Sequence, residues 1–103
     1  MIAMLRATYP LHAFRQVTQA FMSPDIPKRP ESVRELASIG YADDAGGNVV
    51  FMFDVPEVDV GAFLLSQMQR IAFISARAQG FNASVHVGQK VQEAIPALMP
   101  MFP

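Results

Sequence analysis

The chain contains no cysteine and no tryptophan, and it has only two histidines in 103 residues. The absence of cysteine excludes disulfide bonds, thiolate metal ligands and a cysteine nucleophile. His12 and His86 are the only imidazole groups, so a transition-metal site would need carboxylate ligands from distant parts of the sequence. We therefore expect neither a bound metal nor a cofactor.

Long runs of charge are also missing. Eight Lys and Arg residues nearly balance nine Asp and Glu residues, which gives a net charge of −1. The longest blocks of one sign are the pairs Lys28–Arg29 and Asp43–Asp44. Because binding to nucleic acid needs a basic surface that neutralises phosphates, we expect no nucleic acid partner.

The sequence shows no signal for secretion or membrane insertion. The apolar run Met1–Leu5 is interrupted by Arg6 and then by Pro10, unlike the charged and apolar regions of a signal peptide. The longest apolar segment, residues 61–78, contains Gln and Arg side chains, whereas a membrane span needs about 18 or more apolar residues. The sequence predicts a cytoplasmic protein with no membrane partner.

Apolar residues are abundant, at 51% of the chain against 17% charged residues. A length of 103 residues suits one domain and not two, so we assign residues 1–103 to a single domain. So short and apolar a chain leaves apolar groups on its surface, and we expect part of that surface to contact a partner.

Prolines and apolar spacing divide the chain into segments. The three prolines in residues 23–30 predict an extended connector, because proline cannot continue a helix. Elsewhere, alternation predicts strands and three-to-four spacing predicts helices. The predicted elements are a strand over residues 1–9, a helix from Pro10 to Phe21, strands over 33–41 and 49–55, a helix over 60–78, a strand over 82–88, a short helix over 91–99 disturbed by Pro96, and an extended end from Pro100.

This β-α-β-β-α-β order is the ferredoxin-like pattern of α+β proteins, a four-stranded antiparallel sheet with two helices on one face. If Phe51 and Phe53 point towards the helices with Val49, then Val50 and Met52 point the other way. That second face is too apolar in its middle to be left in water. Two sheets packed face to face would cover it.

The layout resembles the dimeric α+β barrel families of ferredoxin-like fold across nearly the whole chain. Residues 49–57 (VVFMFDVPE) resemble the corresponding region of the muconolactone isomerases. The opening strand, the helix after Pro10 and the hairpin at Gly40–Tyr41 resemble short members of the domain family DUF3303. The resemblance implies a homodimer whose two sheets close a barrel. Such families range from isomerases and monooxygenases to proteins with no assigned activity, so the resemblance assigns no catalytic residue.

Polar side chains within apolar strands are the candidate ligand-binding residues. His86 shares with Ser84 a strand face that would line the interior of a barrel, and its imidazole could serve acid–base chemistry, although a structural role is commoner for a strand histidine. Arg6 and Glu35 could pair, or could point to solvent at a sheet edge. Tyr41 could place its hydroxyl at the mouth of a barrel, or could belong to a solvated hairpin.

Three functions are compatible with the sequence. The leading hypothesis is a homodimer that holds a small apolar or amphipathic molecule between sheet and helices, oriented by the candidate residues above. The second is an isomerase or cofactor-free oxygenase in which His86 or Glu35 moves a proton. The third is a structural or regulatory interaction domain without a ligand. We also expect residues 94–103 to form an apolar tail that docks on a partner subunit.

Overall fold

The fold follows the predicted order, in a computed structural model that describes residues 1–101. Short 3-10 turns precede the first two helices, at Leu11–Ala13 and Glu57–Asp59. A third turn, Met99–Met101, ends the described chain. The strands and helices are β1 (Ile2–Tyr9), α1 (Phe14–Phe21), β2 (Arg34–Asp43), β3 (Gly46–Asp54), α2 (Val60–Ser75), β4 (Asn82–Gly88) and α3 (Val91–Leu98).

A proline lies at each of the two connections that lead from a strand into a helix through a 3-10 turn. Pro10 after β1 and Pro56 after β3 have extended backbones, with φ of −62° and −55°. Neither has an N–H group to extend the strand pairing. Their carbonyl oxygens instead accept hydrogen bonds of 2.9 Å from the amides of Ala13 and Asp59. Strand β1 ends directly before Pro10 and β3 ends two residues before Pro56, and in both cases a 3-10 turn leads into the helix.

The four strands form one antiparallel sheet in the order β2-β3-β1-β4, which confirms the ferredoxin-like α+β fold. In β1, Ala3 lies opposite Phe53 on one side and Val87 on the other. Directly opposed residues of antiparallel strands share a face. Phe53 packs with Phe63 of α2 in a buried cluster, so the prediction that Phe51, Phe53 and Val49 face the helices is confirmed.

Two buried clusters hold the helices on this face of the sheet. Small residues on β1 and α1 let the helices approach closely, and larger rings fill the remaining space. Phe53 is 1% exposed and meets the Phe63 ring edge-on at a centroid distance of 5.4 Å. One cluster contains Tyr9, Ala13, Val17, Ala20, Ile74 and Ala78, and the other contains Ala3, Phe53, Val55 and Phe63.

The opposite face of the sheet, here called the open face, has an apolar middle. The register places Met4 beside Met52, and Val50 beside Ile39. Ile39 is 58% exposed. The predicted apolar second face is therefore present, and α1 and α2 lie on the other side of the sheet.

Strand β2 forms one edge of the sheet, and all of its residues are exposed. The register shifts between Glu35 and Ala37, which indicates a bulge. At its start, Arg34 donates a 2.9 Å hydrogen bond to Asp54. This bond lowers the pKa of the Asp54 carboxyl below its usual value. Bulges and charged side chains discourage the pairing of an edge strand with a foreign chain.

The C-terminal helix α3 confirms the short helix predicted around Pro96. It has no buried residue, and Val91, Ile95 and Leu98 are about half exposed or more. The expected extended end is wrong for residues 100 and 101, which belong to the 3-10 turn. Phe102 and Pro103 lie outside the described residues. None of the helices within residues 1–101 has the length and apolarity needed to cross a bilayer.

Gly47→Ala should destabilise the fold by about 1–3 kcal/mol, the usual cost of overfilling a packed interior. A Cβ atom at Gly47 would overlap the ring of Tyr9, which lies opposite in β1 and is only 8% exposed. Either the ring or the strand must move. Urea unfolding followed by circular dichroism measures the loss.

Gly40→Ala is the matched control in the neighbouring strand. A Cβ atom there lies 3.9 Å from the Asn48 carbonyl oxygen, an ordinary van der Waals contact. We expect its stability to stay within about 0.5 kcal/mol of the parent chain, as for most surface changes. Equal stability of the two variants would contradict the packing of Tyr9 over Gly47.

Candidate functional site

A cavity of about 230 Å³ lies between the sheet and the helices α1 and α2. Its walls come from β1, β3, both helices and the connector that precedes β2. Most of the lining is apolar, and much of it is aromatic. The aromatic lining residues are Tyr9, Phe14, Phe21, Phe51, Phe53 and Phe81.

Stacked rings form one wall of the cavity. Phe51 lies between Phe21 of α1 and Phe53 of β3, at centroid distances of 5.7 Å and 5.9 Å. The planes of Phe51 and Phe53 differ by 8°. These two rings are neighbours because alternate residues of a strand share a face. The wall is therefore fixed by the strand and presents ring surfaces to whatever enters.

Thr18 and Tyr9 contribute hydroxyl groups to this mostly apolar lining, and three nitrogen-bearing side chains interrupt it: Arg29 from the connector, and Gln67 and Arg70 from α2. Gln67 is 2% exposed, and its Nε2 atom has no hydrogen-bond partner within residues 1–101. A buried donor without a partner costs about 1–3 kcal/mol. Its amide is thus available to a molecule in the cavity.

The two arginines are held by aromatic rings and by the connector. The Arg29 guanidinium carbon lies 4.7 Å from the centre of the Phe53 ring, and that of Arg70 lies 5.8 Å from the Phe21 ring. Arg70 also donates a 2.7 Å hydrogen bond to the Pro27 carbonyl oxygen. Burial, and then the positive charge of Arg29, lower the pKa of the Arg70 guanidinium below its usual value.

No carboxylate balances these two charges in the described part of the chain. The only ion pair there joins Arg34 to Asp54, and the one charged neighbour that shifts the pKa of Arg70 is Arg29. Two like charges beside an apolar cavity are unfavourable unless an anion or water compensates them. The polar part of the cavity is therefore electropositive.

Arg6, Ser84 and His86 come together on the open face, away from this cavity. Arg6 lies opposite Ser84, and His86 Nε2 is 3.3 Å from Ser84 Oγ. With Met4 and Thr8 they line a shallow depression of about 460 Å³. The prediction that they orient a molecule between sheet and helices is wrong, because their side chains point to the other face. A ligand-binding role for these three residues stays a prediction.

Glu35 and Tyr41 join neither group. Glu35 lies opposite Phe53 at the exposed edge, and Tyr41 lies opposite Asn48 near the end of β2. Strand β3 separates β1 from β2, and Arg6 lies opposite Val50, on the other face from Phe53. The predicted pair between Arg6 and Glu35 is therefore not formed. A ligand-binding role for Glu35 or Tyr41 stays a prediction.

Sequence reasoning did not select Arg29, Gln67 or Arg70. In the sequence, Gln67 and Arg70 stand out only as polar interruptions of an apolar segment, which argue against a membrane span. Their spacing carries a usable signal, because Phe63, Gln67, Arg70 and Ile74 recur at intervals of four, three and four residues. That spacing places all four on one face of a helix. Polar residues on the buried face of an apolar helix mark a candidate site.

No protein-family model matches the chain, and no curated protein sequence matches it. Among solved structures, the chain is similar to an uncharacterized NIPSNAP domain protein from Burkholderia xenovorans. The two share 14% sequence identity, and the match covers 88% of this chain and 97% of that chain with a TM-score of 0.46. Membership of the muconolactone isomerase or DUF3303 families stays a prediction.

Gln67→Met should stabilise the protein by about 1 kcal/mol, since it removes an unsatisfied buried amide and keeps an unbranched side chain of similar size. Thermal and urea unfolding measure the change. Gln69→Met on the exposed side of the same helix is the control and should change stability little. A loss of stability in Gln67→Met would mean that the Gln67 amide has a partner.

Proposed function

We propose that this protein binds a small apolar or amphipathic molecule in the cavity between the sheet and helices α1 and α2. The supporting observation is a volume of about 230 Å³ in a chain of 103 residues. The cavity opens to solvent at a rim of exposed side chains, and its walls are mostly apolar. An apolar cavity of about 150 Å³ already accommodates benzene. The space suits a molecule somewhat larger than a single aromatic ring.

Exposed apolar side chains at the rim support the same function. Phe14 is 57% exposed, Phe21 38% and Met22 72%, and all three line the cavity. Isolated apolar residues on a surface need no explanation, whereas a group around one cavity does. Methionine adapts to irregular shapes because its side chain is unbranched. A ligand in the cavity would cover part of this group.

Ile71→Trp should weaken binding of a neutral aromatic probe, 3-phenylpropan-1-ol, at least tenfold. Ile71 lines the cavity from α2, so the indole would occupy the space that the probe needs. Titration calorimetry gives the affinity, and circular dichroism checks that the variant is folded. If the indole prevents folding, Thr18→Phe on α1, which also lines the cavity, replaces it.

The matched control is Leu65→Trp on the same helix. Leu65 is 57% exposed and does not belong to the cavity lining. Its affinity for the probe should equal that of the parent chain. No binding to the parent chain, or equal binding to both tryptophan variants, would overturn the proposed function.

The second part of the proposal is that the protein acts as a homodimer, in which two open faces pack together. The apolar middle of that face, around Met4, Val50 and Met52, supports this arrangement. Isologous packing uses the same patch of both subunits and is the commonest assembly of soluble chains. The exposed apolar side of α3 would then dock on the partner, as proposed for residues 94–103. We also propose a cytoplasmic location for this protein.

Light scattering on a sizing column should give twice the mass of one chain. Ile39→Lys should shift the protein towards monomer, because it places a charge in the apolar middle of the open face. A chain truncated after Glu93 should dissociate at a higher concentration than the full chain does. Leu65→Lys, on the outer side of α2, is the control for added charge. A full-length monomer would contradict the dimer and leave the cavity proposal standing.

A further inference from the structure

We propose that the cavity selects a small monocarboxylic acid, with its carboxylate bound by Arg70, Gln67 and Arg29 and its apolar body among the aromatic rings. This inference rests on the proposed function and names its ligand class. It follows from three properties of the polar part of the cavity: charge, hydrogen-bonding character and size.

Charge is the first property. Arg70 is half-buried, and its charged neighbour is Arg29, which has the same sign. Burial and like charge both disfavour a guanidinium ion. No acidic residue forms an ion pair with either arginine within residues 1–101. A bound anion would offset the repulsion between the two guanidinium ions, whereas a neutral ligand would not.

Hydrogen-bonding character is the second property. A guanidinium group carries five N–H donors and no acceptor. Arg70 uses one nitrogen, Nη1, on the Pro27 carbonyl. The unpartnered atom of Gln67 is Nε2, which is also a donor. A ligand that satisfies these groups must supply acceptors, and a carboxylate does so with two oxygens.

Size and lining decide which anion fits. A cavity of about 230 Å³ lies below the range of about 300–1,000 Å³ typical of pockets for drug-sized ligands. Nucleotides and other large phosphate esters exceed this space. The aromatic lining favours a flat or short apolar body. The matching class is a monocarboxylate with one ring or a short chain.

The connector places both arginines in the lining of the same cavity. Pro27 supplies the carbonyl that accepts from Arg70, and Arg29 follows two residues later, stacked on Phe53. Stacking on a ring suits a guanidinium, whose planar faces are weakly hydrated. It also leaves the N–H groups at the edge of the guanidinium plane available to a ligand.

The experiment compares 3-phenylpropionate with 3-phenylpropan-1-ol, which share a skeleton and differ in the anionic group. Titration calorimetry at neutral pH and low salt should show the acid binding at least tenfold more tightly than the alcohol. Arg70→Met and Arg29→Met should each reduce the affinity for the acid about tenfold and change that for the alcohol less than threefold. The affinity of Arg70→Lys for the acid should lie between that of Arg70→Met and that of the parent chain, because lysine keeps the charge but lacks the planar set of donors.

Arg77→Met is the matched control. Arg77 lies just beyond the end of α2 and stacks on Phe73, and neither residue belongs to the cavity lining. Its replacement by Met removes one positive charge, as Arg70→Met does. The ratio of its affinity for the acid to its affinity for the alcohol should equal that of the parent chain. If Arg70→Met fails to fold, Arg29→Met and Gln67→Met provide the comparison, and both should lower the ratio.

The outcomes separate the two proposals. If the alcohol binds as tightly as the acid, or the arginine variants keep the ratio of the parent chain, the carboxylate inference is wrong while the cavity still binds a ligand. If neither compound binds, both proposals are wrong. If the ratio of acid affinity to alcohol affinity falls as much in Arg77→Met as in Arg70→Met, the acid is attracted by the net charge of the protein. That result would also overturn the inference.

Discussion

The buried ring of Phe53 is the point at which sheet, helix and connector meet. It contacts Phe63 of α2 at its edge, stacks beside Phe51 within β3, and lies under the guanidinium of Arg29. Its position is set by the register that places it opposite Ala3, where a small side chain leaves room for a ring. The core, the cavity wall and the placement of one cation therefore depend on the same residue.

Alternation along β3 was enough to predict that Val49, Phe51 and Phe53 share the face that packs on the helices, but it left the faces of Arg6 and Glu35 open. The order of elements followed from Pro10, from the turn before β3 and from the apolar spacing of α2. The site was harder to predict, because Arg29 and Arg70 are distant in the sequence and line one cavity only when the connector packs on α2. The prediction of a pair between Arg6 and Glu35 was wrong for a related reason, since the strand order places β3 between β1 and β2. Contacts across elements depend on tertiary packing, which local patterns do not encode.

The sheet separates two chemical environments through a single layer of backbone. Strand β1 contributes to both: Leu5 and Ala7 line the aromatic cavity, and Met4 and Arg6 line the depression on the open face. On the helix side, helices of the same chain cover the sheet. On the open face, the exposure of the apolar side chains depends on whether another molecule covers them. A substitution in β1 that shifts the strand would therefore disturb both surfaces at once.

The connector also limits the conformational freedom of the segment that carries the Pro27 carbonyl and Arg29. Three prolines in residues 23–30 restrict the unfolded chain and reduce the entropy lost on folding. In the folded chain the Pro27 carbonyl accepts a hydrogen bond from Arg70, and the Arg29 guanidinium lies over the Phe53 ring. A preorganised site loses little freedom on binding, so the selectivity of this cavity would come from rigid geometry, and ligands that differ in shape from the cavity would be rejected by it.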